Sequence, residues 1–491
     1  MSATFVTPRW VQDAVFYQIF PDRFAFSPSV EKPNNLEAWD APPTPYGFKG
    51  GDLIGVLERL DYLQDLGITA IYFTPIFQSA SNHRYHTHDY YRVDPLLGGD
   101  AALRRLLDEA HRRGIRIVLD GVFNHASRGF FQFNHILECG AQSPYLDWFR
   151  VKRFPLNAYH GKPNYDCWWG LPALPEFNHQ NPQVRRFIFN VARYWLEQGI
   201  DGWRLDVPFC VNDDSFWQEF RQVVKQANPQ AYITGEIPWD AERWLQGDQF
   251  DGVMNYLLTY ACWGFFGGER MDRKLVGHWY EHGPQYFSPQ AEGFAENVSA
   301  LLKKYPLPAV LAQLNLLDSH DTSRFLSIAG GDKRLQRLAA LFLFTYPGAP
   351  CIYYGDEIGL EGGEDPDCRR AFPWDENRWD HDLRAFYQRL AALRRGNPVL
   401  RQGSFEVLYA AGQVLVYLRR QEQDAAVVVI NRSPTASFDL DLPAAGHLPE
   451  GMTFRNEIGQ GGVAVREGRL RGLHLPPLAG AVLLPENQAL S

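Results

Sequence analysis

The sequence predicts an α/β fold: a (β/α)8 TIM barrel with an inserted domain after its third strand and a C-terminal antiparallel β domain. Between about residues 15 and 395, short apolar runs alternate with amphipathic segments, which is typical of strand–helix units around a parallel sheet. The candidate strands number about eight, the count that a closed barrel needs. They are 15–20, 68–73, 115–120, 202–206, 232–236, 252–255, 314–318 and 351–354.

The helices between these strands are predicted from apolar residues at helical spacing. Residues 53–66 place four leucines on one face, and 101–113 and 185–198 show the same pattern. A glycine follows each of the three segments, as is common just past a helix end. These glycines are Gly67, Gly114 and Gly199.

Changes in composition predict the domain boundaries. Residues 126–179 are rich in aromatic residues, Pro, Asn and Gly without a clear helical period, which indicates an inserted domain that shapes a cleft. After about residue 398 the chain turns to strand-like runs separated by turn residues. We therefore assign the barrel to 1–125 and 180–397, the inserted domain to 126–179 and a C-terminal β-sandwich domain to 398–491.

The overall composition excludes several classes of protein. A net charge of −9 argues against a dedicated nucleic-acid-binding protein. The six cysteines are scattered without a Cys-x-x-Cys pair, so neither a zinc site nor a disulfide framework is indicated. No apolar run is long enough to span a membrane, and the first ten residues do not resemble a signal peptide. We expect a cytoplasmic protein with no membrane partner.

Three carboxylates stand at the ends of predicted strands. Asp206 and Glu236 each end an apolar run, and Asp321 closes the segment that follows strand 314–318. Buried carboxylates are costly unless a function requires them, and the C-terminal face of a barrel is where catalytic residues lie. The pattern favours cleavage of a glycosidic bond, in which a carboxylate nucleophile and a protonated acid stand about 5–5.5 Å apart.

Each residue also has a simpler interpretation. Arg204 lies two residues before Asp206 on the same strand face, so it would keep this nucleophile candidate ionised, but the pair could equally be a structural ion pair. Glu236 suits the acid if its environment raises its pKa, and Asp321 could stabilise positive charge in the transition state. Single histidines such as His125 and His320 are more often structural than ligands. The ordered concurrence of four weak motifs is what favours catalysis.

These segments resemble the four conserved regions of the α-amylase family of glycoside hydrolases, and the similarity covers nearly the whole chain. The nearest group is that of the cyclomaltodextrinases, neopullulanases and maltogenic amylases, which 81–85 and 174–178 resemble. The resemblance implies that Asp206 is the nucleophile, Glu236 the acid/base and Asp321 the transition-state stabiliser. Further residues expected to bind substrate are Tyr85, which would stack under the sugar before the scissile bond, His125, Arg204, His320 and Arg324.

The chain departs from this group at three places. The barrel begins near residue 10, so we expect the group's extra N-terminal β domain to be absent and any dimer to use another surface. Phe209 lies in the segment where the group tends to have Asn-Glu, and Trp239 stands one position later than the group's Trp. Both lie on the leaving-group side, where we expect unusual specificity. Trp169 in the inserted domain is a candidate stacking platform for glucan, with plain packing as the alternative.

No cofactor is expected to be required. Calcium prefers about six to eight oxygen ligands, and the loop 25–29 lacks the Asn and Asp that the group usually supplies there. We therefore predict no required metal, although Asn124 could belong to a second calcium site of the family.

The sequence leaves three functions to compare. The leading hypothesis is a retaining hydrolase, monomeric or homodimeric, for α-1,4 and also α-1,6 bonds of maltooligosaccharides, cyclodextrins or starch. A transglycosylase or isomerase on the same scaffold is the alternative, because both share the glycosyl-enzyme intermediate. A non-catalytic binding barrel is disfavoured because all three carboxylates are present.

Overall fold

A computed structural model describes residues 5–444 and 446–486. The outermost residues of the first and last assigned domains lie outside this range, as do the first four residues used in the signal-peptide argument. Its first ten strands are β1 (Phe16–Ile19), β2 (Ala70–Phe73), β3 (Phe77–Ser79), β4 (Thr87–Val93), β5 (Arg116–Gly121), β6 (Gly202–Leu205), β7 (Tyr232–Gly235), β8 (Gly252–Val253), β9 (Leu314–Leu316) and β10 (Ala349–Tyr353). All eight predicted barrel strands are present within a few residues of their expected places.

Eight of these strands form one parallel sheet in the order β8-β7-β6-β5-β2-β1-β10-β9, while β3 and β4 pair with each other outside it. The two edges meet through a parallel bridge between Met254 and Leu314, and the Asn255 amide donates to the Leu314 carbonyl at 2.9 Å. The sheet is therefore closed, and the predicted (β/α)8 barrel is confirmed. Its strands are buried on both faces, as expected for a parallel sheet covered by helices.

The α-helices surround the barrel. They are Arg9–Asp13, Pro21–Phe24, Leu53–Glu58, Leu60–Leu66, Gly99–Arg112, Phe131–Cys139, Pro182–Glu197, Asp214–Ala227, Tyr256–Cys262, Arg273–Val276, Ala291–Lys304, Leu307–Leu311, Phe325–Ile328, Lys333–Thr345, His381–Gly396 and Pro398–Gln402. Within residues 5–444 and 446–486, none of the helices has the length and apolar character needed to cross a membrane.

The segment between β5 and β6 contains a helix that the sequence pattern does not show. Phe131–Cys139 is only nine residues long, and just Phe133 and Ile136 are buried on it, which is too little for a recognisable period. A short antiparallel bridge between His125 and Glu176 joins this segment to the barrel. The inserted segment thus begins and ends beside a predicted site residue.

The C-terminal part forms one antiparallel sheet of eight strands. They are β11 (Ser404–Ala411), β12 (Val414–Gln421), β13 (Asp424–Asn431), β14 (Phe438–Pro443), β15 (Thr453–Asn456), β16 (Gly462–Arg466), β17 (Arg469–Leu475) and β18 (Ala479–Pro485). The buried Arg419 guanidinium donates to the carbonyls of Leu400 and Gly403 at 2.8 Å. The predicted C-terminal β domain is confirmed, and this arginine fixes it to the end of the barrel.

Candidate active site

The strand ends bring the predicted carboxylates together. Asp206 directly follows β6 and Glu236 directly follows β7, while Asp321 lies five residues after the end of β9. Because the carboxyl ends of parallel strands open onto one face of a barrel, all three side chains reach the same cleft. Asp206 and Glu236 are buried, at 7% and 8% exposure, whereas the Asp321 side chain is 28% exposed.

One buried arginine holds three carboxylates. Arg204 Nη1 lies 3.0 Å from Asp120 and 3.2 Å from Asp206, and its Nη2 lies 2.9 Å from Glu236. The sequence predicted Arg204 as the partner of Asp206, and the structure shows that its charge is divided among all three. Since Asp206 and Glu236 contact the same guanidinium, they are near neighbours, as a nucleophile and an acid on one glycosidic bond must be.

The environment of Glu236 favours its protonated form. Burial, together with the negative charge of Asp321, raises the pKa of Glu236 to about 7 against the opposing charge of Arg204. Burial and the neighbouring Glu236 also raise the pKa of Asp206. Two buried carboxyls beside one shared cation thus retain a proton between them near neutral pH.

The backbone between the two carboxylates is strained. Val207 has φ +35°, a left-handed conformation that a β-branched residue rarely adopts. In this conformation its amide donates to Glu236 Oε2 at 3.1 Å. The strained turn therefore links the residue after Asp206 directly to Glu236, and strain of this kind is concentrated at functional sites.

Asp321 stays ionised in this cleft. Burial by itself would raise its pKa, but contacts with His320 and Arg369 outweigh burial and lower the pKa of Asp321 below its usual value. Arg369 Nη2 lies 3.1 Å from Asp321 Oδ1, and its Nε donates to the His320 carbonyl at 2.7 Å. Sequence analysis missed Arg369, because it lies 48 residues after Asp321 and no local motif marks it.

Tyr85 and His320, both predicted to bind the sugar before the scissile bond, lie next to each other with their ring planes nearly parallel. Their ring centroids are 5.6 Å apart with planes within 5° of parallel. Gln18 donates to His320 Nδ1 at 2.7 Å, so the ring proton is assigned to Nε2, which faces the Tyr85 hydroxyl at 2.5 Å. Burial lowers the pKa of His320 to about 3, so the imidazole is neutral.

Asp120 fixes the base of this subsite. Its Oδ2 accepts hydrogen bonds from the hydroxyls of Tyr72 at 2.9 Å and Tyr85 at 3.0 Å, in addition to Arg204. The predicted sugar-stacking ring of Tyr85 is thus positioned through the same buried arginine that holds the catalytic candidates. Tyr72 lies on β2 and carried no signal in the sequence beyond its place in a strand.

On the other wall, an aromatic stack runs from His125 to solvent. His125 stacks on Trp168 at 5.5 Å, and Trp168 stacks on Trp169 at 4.8 Å with planes within 4°. His125 is 1% exposed, while Trp169 is 78% exposed and has φ +51°. Within residues 5–444 and 446–486, the buried His125 Nε2 has no hydrogen-bond partner, which is unusual for a buried polar atom.

Phe209 and Trp239, predicted on the leaving-group side, contact each other. Their ring centroids are 4.6 Å apart, and His282 lies 5.6 Å from Trp239. Phe209 follows Asp206 by three residues and Trp239 follows Glu236 by three. The two departures from the group therefore form one aromatic wall beside the catalytic candidates.

Arg324, predicted to bind substrate, lies beneath the site. Its side chain is fully buried, pairs with Asp356 at 3.0 Å and donates to the Cys368 carbonyl at 3.0 Å. Its guanidinium also lies over the Tyr353 ring at 4.2 Å. These contacts show a side chain that supports the loop after β10, and a substrate contact of Arg324 stays a prediction.

A lysine ammonium lies at the loop from which the group's calcium ligands are missing. Lys32 Nζ is 2.9 Å from Asp52 Oδ2 and donates to the Leu96 carbonyl at 2.7 Å. Asp52 is fully buried and also accepts from the backbone amides of Ser27 and Gly55. The chain thus supplies its own cation to this buried carboxylate.

Comparisons with known proteins agree on one family. The family description "Alpha amylase, catalytic domain" matches residues 18–399, and "Neopullulanase-like, C-terminal domain" matches residues 405–483. A cyclomaltodextrinase from Bacillus sp is 47% identical over 431 residues, which are 87% of this chain and 74% of that protein.

Two solved structures extend the similarity over almost the whole fold. Ttha1563 from Thermus thermophilus superposes with a TM-score of 0.92 at 48% identity, covering 97% of this chain and 99% of that chain. The debranching enzyme from Nostoc punctiforme superposes with a TM-score of 0.87 at 47% identity, covering 98% of this chain and 100% of that chain.

Proposed function

The chain belongs to the α-amylase family of glycoside hydrolases, and from this premise we propose that it is a retaining α-glucan hydrolase acting on α-1,4 bonds of maltooligosaccharides and cyclodextrins, with α-1,6 bonds as a second target. The observation that carries the proposal is the contact of Asp206 and Glu236 with one guanidinium, which places two carboxyls that share a proton side by side. The names of the similar cyclomaltodextrinase and debranching enzyme support the two bond types.

In the first step, an Asp206 oxygen attacks the anomeric carbon of the glucosyl unit before the scissile bond. The bond from this carbon to the glycosidic oxygen breaks, and Glu236 gives its proton to the departing oxygen. The products are a shortened glucan and a glycosyl ester on Asp206. The pKa of Glu236, raised to about 7 by burial, suits a group that must hold a proton before the step and lose it during the step.

In the second step, Glu236 takes a proton from water as the water oxygen attacks the same carbon. The ester bond to Asp206 breaks, and the carboxylate is restored with the original anomeric configuration in the product. If a sugar hydroxyl takes the place of water, the result is transfer. The aromatic wall of Phe209 and Trp239 lies on the side where such an acceptor would bind.

Other residues bind and polarise the sugar. The ring of Tyr85 stacks under the sugar. The imidazoles of His125 and His320 are neutral, because burial lowers the pKa of both to about 3, and they bind the sugar hydroxyls. Ionised Asp321 faces the carbon on which positive charge develops, and Arg369 keeps this carboxylate oriented. Preorganised charge of this kind contributes a large share of catalysis in such sites.

The test is incubation of the pure protein with maltoheptaose, β-cyclodextrin, soluble starch or pullulan, with products separated over time. We expect rapid attack on maltoheptaose and β-cyclodextrin, slower attack on starch, and cleavage of pullulan. Proton NMR of early products should show the α-anomer at the new reducing end. Release of the β-anomer would contradict a retaining mechanism, and no release from any of the four would contradict the proposed function. Addition of glucose or maltose as acceptor measures transfer.

A further inference from the structure

The two most exposed large apolar or aromatic side chains among residues 5–444 and 446–486 are Tyr46, at 91%, and Trp169, at 78%. Single exposed aromatic residues are common on protein surfaces, so exposure by itself carries no argument. Trp169, however, is joined through Trp168 to His125 in the cleft. The position of Tyr46 therefore decides whether it also belongs to the cleft.

The backbone on both sides of Tyr46 is bound to the active-site loop. Asn82 Nδ2 donates to the Pro45 carbonyl at 3.1 Å and to the Gly47 carbonyl at 2.7 Å. Asn82 is 4% exposed and precedes Tyr85 by only three residues. One buried amide group thus binds the carbonyls of the residues before and after Tyr46 and connects them to the loop that carries Tyr85.

A second anchor reaches the catalytic candidates. Arg23 Nη2 donates to the same Gly47 carbonyl at 2.9 Å, and its Nη1 donates to the Arg369 carbonyl at 3.1 Å. Arg369 in turn contacts Asp321. Contacts through Asn82 and through Arg23 therefore connect the backbone around Tyr46 to the segments that carry Tyr85 and Arg369.

The loop that presents Tyr46 is held rigidly. Lys49 Nζ donates to the carbonyls of Ala38 at 2.6 Å and Ala41 at 2.7 Å, and prolines occupy positions 42, 43 and 45. A Cβ on Gly47 would lie 1.8 Å from a carboxylate oxygen of Glu37, so any larger residue there would have to displace this side chain. Because the backbone is held in this way, only the Tyr46 side chain loses conformational entropy when a ligand covers its ring.

We propose that Tyr46 is a stacking platform for a glucosyl unit beyond the one bound at Tyr85, on the non-reducing side of the scissile bond. The direction is inferred from the two walls of the site. Phe209 and Trp239 follow Asp206 and Glu236 on the predicted leaving-group side, whereas the Tyr46 loop is held through Asn82 and Arg23 on the side of Tyr85. The flat apolar face of a glucose ring suits an exposed aromatic ring that offers no other binding chemistry than stacking and one hydroxyl. This inference rests on the proposed function and deepens it: Tyr46 sets a preference for longer glycone chains.

The experiment uses 4-nitrophenyl α-glycosides of maltose, maltotriose, maltotetraose and maltopentaose, in which only the glycone side grows. The readout is kcat/KM for nitrophenol release, taken as the ratio of the longest to the shortest substrate. For wild type we expect kcat/KM to rise sharply where one particular glucosyl unit is added to the glycone, and this step sets the ratio. In Tyr46→Ala the step should shrink by about five-fold, the effect of one aromatic stacking contact. Tyr46→Phe retains the ring and should retain the step.

Tyr159→Ala is the matched control, since Tyr159 is also exposed, at 65%, but carries the Arg128 guanidinium over its ring at 4.4 Å in the inserted segment. An unchanged ratio in Tyr46→Ala, or an equal loss in Tyr159→Ala, would overturn the inference. A loss in Tyr46→Phe as large as in Tyr46→Ala would show that the hydroxyl and not the ring is responsible, which also overturns it. No nitrophenol release by wild type from any substrate would instead contradict the proposed function.

Discussion

Replacement of Glu236 by Gln tests the proposed acid most directly, because the structure fixes the size of the expected effect. Burial and the charge of Asp321 raise the pKa of Glu236 from the ordinary 4.5 to about 7. At pH 6 a carboxyl with a pKa of about 7 is roughly nine-tenths protonated, against about 3% for an ordinary one, so the environment increases the active fraction about 30-fold. The rise in pKa from 4.5 to about 7 corresponds to about 3 kcal/mol between the two protonation states.

The assay is kcat/KM for maltoheptaose across pH 4.5 to 9, repeated with α-maltosyl fluoride. In wild type the acid must be protonated, so activity should be lost as pH rises through about 7, by about tenfold per pH unit. Glu236→Gln should lose roughly 10²- to 10⁴-fold on maltoheptaose, the usual share of a general acid, and should lose the alkaline limb. Fluoride leaves without a proton, so cleavage of the fluoride should be affected far less.

Asp206→Asn is the matched control, because loss of the nucleophile should abolish activity on both substrates. An alkaline limb near pH 5 in wild type would refute the argument that burial holds the proton. Equal losses on maltoheptaose and the fluoride in Glu236→Gln would refute its assignment as the acid.

Three further changes test other parts of the structure. Lys32→Met should lower the free energy of unfolding by roughly 3 kcal/mol in chemical denaturation, because buried Asp52 loses its cation. A chelator should leave the melting and activity of the wild type unchanged. A large loss of either on chelation would contradict a metal-free loop. Trp169→Ala should raise KM for maltoheptaose about five-fold with unchanged melting, and unchanged kinetics would favour plain packing. The double variant Phe209→Ala/Trp239→Ala should alter the product distribution from maltoheptaose, and identical products would exclude specificity at this wall.

The carboxylates could be predicted because each stands at the end of an apolar run. A run of this kind is a buried strand, and parallel strands present their carboxyl ends on one face, so Asp206, Glu236 and Asp321 had to converge once the barrel was predicted. Phe209 and Trp239 were instead singled out by the family resemblance, whereas the three carboxylates needed only their places at strand ends. Local pattern and fold topology were sufficient for these residues.

Contacts between distant segments could not be predicted in this way. Arg369 reaches Asp321 across 48 residues, and the Asn82 amide binds the carbonyls beside Tyr46 across more than thirty. Arg324 pairs with Asp356 across 32 residues, a contact that no local motif of the sequence marks. The sequence pattern predicts where a strand ends, but it does not predict where the side chains of the following loop point.

The most consequential difference concerns Arg204. Its spacing from Asp206 predicted a cation that keeps this carboxylate ionised, yet the guanidinium also binds Asp120 and Glu236 at distances as short or shorter. A single positive charge cannot stabilise three buried negative charges equally, so one proton must remain among the three carboxyls. Asp120 competes poorly for this proton, because two tyrosine hydroxyls already donate to its carboxylate. The proton therefore belongs to the pair of Asp206 and Glu236. A glucan bound between them would then fix its place, since only a protonated Glu236 can hydrogen-bond the glycosidic oxygen while an ionised Asp206 faces the anomeric carbon.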